Sequence, residues 1–240
     1  MTPSEAFFTV HRELPREGPG LPVHVHWTLD ALTMPPRRIF DAACGPGTDT
    51  VTLAESLPEA ELLAVDLQAH FVEQAQRATQ RFGPRVQIEQ ASFMDAVGPF
   101  DLIWCAGAVY FVGIEAALVA WRNILSDGGA VAFSEPAWKS ANPSESAKAF
   151  WEEYPAIAGL PALAKRIEAA GWKIHAARWL EQDAWAAYYD PMARRLDKLQ
   201  AKSSIEPTLQ AAIAENRQEI ANWQAAKDEI DYHLFVVTPT

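Results

Sequence analysis

Between residues 37 and 135 short apolar runs alternate with longer amphipathic stretches, the pattern left by βα units of a parallel sheet. RRIFDAA, LLAVD, RVQIEQ, FDLIWCA and GAVAFSE predict five strands. The segments between them, TDTVTLAESL, QAHFVEQAQRATQRF and GIEAALVAWRNIL, predict helices, and in the second Phe71, Val72, Ala75, Ala78 and Phe82 share one face. Gly83-Pro84 and Gly128-Gly129 punctuate helix ends.

Beyond residue 136 the pattern changes. A stretch rich in Pro, Ser and aromatic residues leads into PALAKRIEAAGW, which predicts a helix, and KIHAARWL, which predicts a strand. A long helical region follows, with a break expected at Asp190-Pro191. In its later part Leu209, Ile213, Ile220, Trp223 and Ile230 recur at helical spacing, and YHLFVVTP closes the chain as a strand. Residues 1 to 22, with four prolines, predict an irregular arm over the surface.

At 240 residues and 49% hydrophobic composition the chain can bury a large core, and one α/β domain is expected. The apolar runs are far shorter than a membrane span, and the first residues lack a charged-then-apolar leader, so a soluble, cytoplasmic protein is expected. Cys44 and Cys105 each sit in an apolar strand-like segment and read as buried thiols. A formal charge of −11 argues against a long nucleic-acid partner, because that affinity comes from clustered Lys and Arg. No membrane partner is expected, and nothing in the pattern assigns an oligomeric state.

The first strand runs into DAACGPGTDT, where Gly45 and Gly47 permit a tight turn and close approach of a ligand to the backbone. A dinucleotide turn would carry a third glycine where Thr50 stands, and a triphosphate loop would carry a lysine that is absent here. Asp66 closes the second strand, a position from which a carboxylate can accept both hydroxyls of a ribose. The alternative for Asp41, Asp66 and Asp95 is that they cap turns at strand ends, although three such coincidences are less expected than a site.

In the order and spacing of DAACGPGT, AVDL, SFMDA, FDLIWCAGAVY and LSDGGAVAFSE, the chain resembles the class I S-adenosylmethionine-dependent methyltransferases. LPREGPG, SEPAW, FWEEYP and AWAAYY are similar to a smaller group of stand-alone bacterial methyltransferases. The resemblance implies a Rossmann-like seven-stranded sheet with helices on both faces and a helical, aromatic lid inserted after strands 5 and 6. The expected layout is a single domain: arm 1–36, cofactor-binding core 37–135, lid insertions 136–160 and 181–230.

The resemblance implies S-adenosylmethionine as cofactor, its methionine part held by Asp41 and the backbone of Ala43, Gly45 and Gly47. Asp66 would take the ribose hydroxyls, Leu67 the adenine face, Met94 and Asp95 the adenine edge, and Ala106 would lie by the methionine moiety. Ala43 departs from the family, which has glycine at that place. Arg16, in the turn-forming REGPG, is a candidate partner for the cofactor carboxylate, the alternative being a solvated arginine on an arm.

Methyl transfer from a sulfonium needs in-line placement and exclusion of water; a protonated acceptor also needs a base. Glu135 and Tyr110 are the candidates, with His24 and His26 weaker. Glu135 could instead cap the turn at Pro136. The His24-Val25-His26 pair lacks further clustered ligands, and no metal is assigned. Tyr110, Trp138, Tyr154, Trp185, Tyr188 and Tyr189, with Trp151, are candidates for an aromatic wall around a small-molecule substrate, although at least half of these rings are expected to pack the insertions' own core. The rival readings are a nucleic-acid methyltransferase, a protein that binds the cofactor without transferring its methyl group, and a dehydrogenase.

Overall fold

The computed structural model describes residues 1–152, 154–202 and 204–240. Five parallel strands, β1 (Arg38–Ala42), β2 (Glu61–Asp66), β3 (Val86–Gln90), β4 (Phe100–Ala106) and β5 (Leu125–Trp138), are joined by α3 (Thr48–Ser56), α4 (Ala69–Thr79) and α5 (Ile114–Arg122). Then come α6 (Glu145–Phe150), the two-residue β6 (Ala158–Gly159), α7 (Leu160–Ala169), β7 (Trp172–Trp179), α8 (Gln182–Gln200), α9 (Pro207–Ala226) and β8 (Ile230–Pro239). The sheet order is β3-β2-β1-β4-β5-β8-β7, with β6 beside the end of β5. β8 runs antiparallel between β5 and β7. Seven long strands thus make the expected sheet, and β6 adds a short eighth.

Alternation along the strands sends side chains to two cores. Ile39, Leu102, Trp104, Ala132, Leu234 and Val236 share a core with Met192 and Leu196 of α8 and Ile213 of α9. Phe40, Ile103, Val131, Phe133 and Phe235 share the other with Trp121 of α5 and Leu163 and Ile167 of α7. Both faces of the sheet are therefore covered, as a sheet with mostly parallel strands requires. The winding reverses between β1 and β4, and in such sheets the crevice at the carboxyl ends of the strands there is the usual ligand position.

Three local expectations are corrected. The amino-terminal segment carries two helices, α1 (Pro3–His11) and α2 (Pro22–Ala31), rather than an irregular arm. Thr2 and Glu5 form a reciprocal capping box that starts α1, and Pro3 and Pro22 occupy first-turn positions where a missing N–H costs nothing. Second, α8 continues through Asp190-Pro191 and ends at Gln200. Its buried stripe of Tyr188, Met192, Leu196 and Leu199 spans the proline, so packing outweighs one lost backbone bond. Third, β5 runs past Glu135 to Trp138, paired to β8 throughout that stretch. Among the described residues no helix is long and apolar enough to cross a membrane.

Candidate functional site: a roofed glycine turn beside an aromatic cluster

Beyond the end of β1 the backbone turns sharply. Ala43, Gly45 and Gly47 have φ of 61°, 54° and 88°, a left-handed conformation that costs a non-glycine residue about 1–2 kcal/mol, so Ala43 stands strained where glycine would not. At Gly47 a Cβ would also lie 2.9 Å from the Cβ of Ala75, so α4 packs directly on this glycine. The Gly45 N–H donates to Asp66 Oδ2 at 2.9 Å, and the Gln68 N–H to Asp66 Oδ1 at 2.9 Å. Each oxygen of Asp66 keeps accepting capacity, and two backbone groups fix the carboxylate's orientation.

Asp41 lies beneath the turn, 2% exposed. Its Oδ2 accepts the Thr50 hydroxyl at 2.5 Å. Burial, reinforced by Asp49 and Asp66, raises its pKa to about 7. Leu67 is exposed, and Met94 and Asp95 follow β3 in a turn where the Ser92 hydroxyl accepts the Met94 N–H and the Ser92 carbonyl accepts the Asp95 N–H. Ala106 ends β4 and lines a narrow cleft with Gly20, His24, Asp49 and Trp104.

The connection between α1 and α2 crosses the turn as a strap. Gln74 Nε2 donates to the Leu14 carbonyl at 2.8 Å, the Thr48 hydroxyl donates to the Pro15 carbonyl, and Gly20 N–H donates to the Ala184 carbonyl at 3.3 Å. Arg16 is buried; its Nη2 meets Asp49 Oδ1 at 3.0 Å and its Nε donates to the Gly18 carbonyl. A Cβ on Gly20 would collide with that guanidinium. Asp49 also accepts from Trp104 Nε1 at 3.2 Å. Glu17 pairs with His11 at 2.6 Å, and its Cγ lies 3.9 Å from the position of a Cβ on Gly45.

Glu135 faces the α5–α7 side of the sheet with no exposed surface. Its Oε1 accepts the Tyr154 hydroxyl at 2.5 Å, while its Oε2 is buried without a partner. Burial raises the Glu135 pKa to about 7. The Tyr154 ring packs on Tyr110 at 5.5 Å, and Tyr110 packs on Trp151 at 5.7 Å. Trp151 contacts Tyr232, which contacts Trp185 at 5.6 Å, which stacks on Tyr189 at 5.7 Å. Tyr188 is buried beside Tyr189. Trp138 belongs to a separate small cluster with Ala226 and Ile230.

His24 is buried and accepts the Leu21 N–H at 3.0 Å, a local helix start, and burial lowers its pKa. His26 is exposed on the same helix. Both cysteines are free and buried, their thiols pushed up in pKa by burial. Sequence reasoning did not single out Glu17, Asp49, Trp104, Glu219 or Tyr232. Asp49 and Glu17 sat inside quoted motifs, next to Thr48 and Arg16; Glu219 and Tyr232 carried no local signal.

Residues 39–129 match a family described as a methyltransferase domain. A trans-aconitate 2-methyltransferase of Pseudomonas paraeruginosa is 34% identical over 110 residues, 45% of this chain and 38% of its own. A malonyl-[acyl-carrier protein] O-methyltransferase of Legionella pneumophila is 28% identical over 127 residues, 48% of this chain and 45% of its own. The chain thus spans less than half the length of these curated relatives. A SAM-dependent methyltransferase from Geobacter sulfurreducens, solved with S-adenosyl-L-homocysteine, superimposes with a TM-score of 0.86 at 19% identity over 98% of both chains. The chain thus shares the fold of this S-adenosylmethionine-dependent methyltransferase, and its residues 39–129 carry the match to a methyltransferase domain.

Proposed function

We propose that the protein transfers a methyl group from S-adenosylmethionine to a small-molecule acceptor. One observation carries the reading: both oxygens of Asp66 are oriented by the N–H groups of Gly45 and Gln68 at the mouth of the glycine turn. A carboxylate so held suits a pair of adjacent hydroxyls. The residues present fit the donor in a second way, since α3 begins without a side-chain cap and its first N–H groups suit the donor's carboxylate.

Asp66 would hold the ribose, with Leu67, Met94 and Asp95 around the adenine. Ala43, Gly45 and Gly47 would approach the methionine part through their backbone, with Asp41 and Thr50 bracing the turn and Ala106 alongside. Arg16 and Asp49 would hold the strap closed over it. When bound, the donor supplies an electrophilic methyl group on a sulfonium. The chain's own work is placement and exclusion of water, by the strap and by α8 and α9. Glu135, raised toward neutrality, is the residue to accept a proton from the acceptor, with Tyr154 orienting it and Tyr110 beside it.

The test is calorimetric titration with S-adenosylhomocysteine, followed by transfer of radiolabelled methyl to a panel of amines, hydroxyl compounds and acids. Saturable uptake with transfer to at least one acceptor is expected; folded protein that takes up no S-adenosylhomocysteine overturns the proposal.

A further inference from the structure

Arg16 and Glu17 are neighbours in the strap and reach different parts of the site. Arg16 goes to Asp49 on α3, whereas the Glu17 side chain lies over the glycine turn, its Cγ 3.9 Å from the position of a Cβ on Gly45. The backbone is fixed on either side of it: the Thr48 hydroxyl donates to the Pro15 carbonyl, and Arg16 Nε donates to the Gly18 carbonyl. Glu17 is therefore carried over the turn by an anchored stretch of chain.

Its two oxygens are used unequally. Oε2 meets His11 Nδ1 at 2.6 Å, and Phe7 stacks on the His11 ring at 4.0 Å, so this oxygen is held from α1. Oε1 is buried without a partner. The other acids around the turn are committed elsewhere. Asp41 lies beneath it and accepts from Thr50, and Asp49 takes Arg16 on one oxygen and Trp104 on the other. Asp66 is oriented by Gly45 and Gln68. Gly45 thus has one acid on its N–H and another over the face that a Cβ would occupy.

These two acids act on each other. Burial raises the pKa of Glu17, the bond to His11 opposes the rise, and Asp66 and Glu219 add to it. Carboxylates that repel across one glycine favour a cation between them. The methionine part of the donor supplies one, since its α-ammonium carries three N–H donors.

We infer that Glu17 Oε1 accepts a hydrogen bond from the α-ammonium of S-adenosylmethionine, which makes the strap a part of the donor site as well as its cover. This rests on the methyl-transfer reading and adds a residue to it. Entry of the donor moves the flexible Glu17 side chain off Gly45 and gives Oε1 its partner. The adjacent carboxylate goes to the first N–H groups of α3, so two different elements read the two ends of the amino acid.

The experiment titrates the protein calorimetrically with S-adenosylhomocysteine and with its deamino analogue, in which hydrogen replaces the α-amino group. Glu17→Gln is expected to weaken binding of S-adenosylhomocysteine about tenfold or more, the worth of one charge-assisted hydrogen bond, and to leave the affinity for the analogue unchanged. An equal loss for both ligands reduces Glu17 to a tie between the strap and His11, and no loss for S-adenosylhomocysteine removes it from the site; either result overturns the inference. A crystal structure of the wild-type complex gives a second reading that needs no variant to fold. Glu17 Oε1 is expected about 2.7–3.2 Å from the α-nitrogen, and a carboxylate turned away from that nitrogen overturns the inference. Wild-type protein that fails to bind S-adenosylhomocysteine defeats the methyl-transfer reading itself.

Discussion

The glycine turn and the aromatic cluster are built in opposite ways. The turn draws on residues 41 to 50 with Asp66, mostly through backbone groups whose positions follow from one βα unit and its neighbour strand. The aromatic cluster draws Tyr110, Tyr154, Tyr189 and Tyr232, with Glu135 and Glu219 each accepting one of its hydroxyls, from separate stretches of chain. Their two buried acids show the contrast. Asp41 and Glu135 are both raised to a pKa of about 7 by burial. Yet Asp41 is braced by Thr50 as part of the scaffold, whereas Glu135 keeps one oxygen without a partner.

Glu135→Gln separates the two regions most sharply. Turnover is expected to fall about 10²–10⁴-fold, the range for removing a general base, with unchanged affinity for S-adenosylhomocysteine. Steady-state rates beside calorimetry check this, and a variant with normal turnover would reduce Glu135 to a packing residue.

The same variant should show a pH-dependent gain in stability. Glu135 has its pKa raised from 4.5 to about 7 on folding, so it binds its proton more tightly in the folded chain. The stability cost of ionising it is absent below pH 4.5, accumulates as pH rises to about 7, and is then complete. The melting difference between Glu135→Gln and wild type should therefore grow over that window, toward an order of 3 kcal/mol. A pH-independent difference in denaturant titrations would contradict the assignment. Lowered pKa values at His24, His70 and His233 affect both proteins alike and cancel in the comparison.

On the glycine-turn side, Asp66→Ala should weaken S-adenosylhomocysteine binding by about 1.5–3 kcal/mol, the worth of charge-assisted hydrogen bonds. Affinity equal to wild type in calorimetry would remove Asp66 from the ribose site. The smallest effect is a gain: Ala43→Gly relieves a φ of 61° and should stabilise the chain by about 1 kcal/mol, read as a rise of about 2–4 °C in melting temperature. No rise would mean that neighbouring contacts already offset the strain.

The strands were legible because burial on both faces leaves plain apolar runs, and the turn because glycines and strand-end acids sit at short, fixed spacing. The capping box at Thr2 and Glu5 was equally present in the sequence, but the four prolines nearby drew the reading toward an irregular arm. Pro191 misled in the same direction, since a local rule was overruled by the buried stripe on either side of it.

By itself the sequence determined the order of strands and helices from β1 to β5, the glycine turn and the acids around it, because each depends on side-chain periodicity or on neighbours a few residues away. Tertiary structure alone decided that Arg16 meets Asp49 across 33 positions and that Glu135 meets Tyr154, not solvent. It also decided that Tyr189, on α8, donates to Glu219, on α9. The reason is physical: side-chain partnership across the fold depends on how α1, α8 and α9 pack against one another and over the sheet, and packing leaves no spacing in the chain to read.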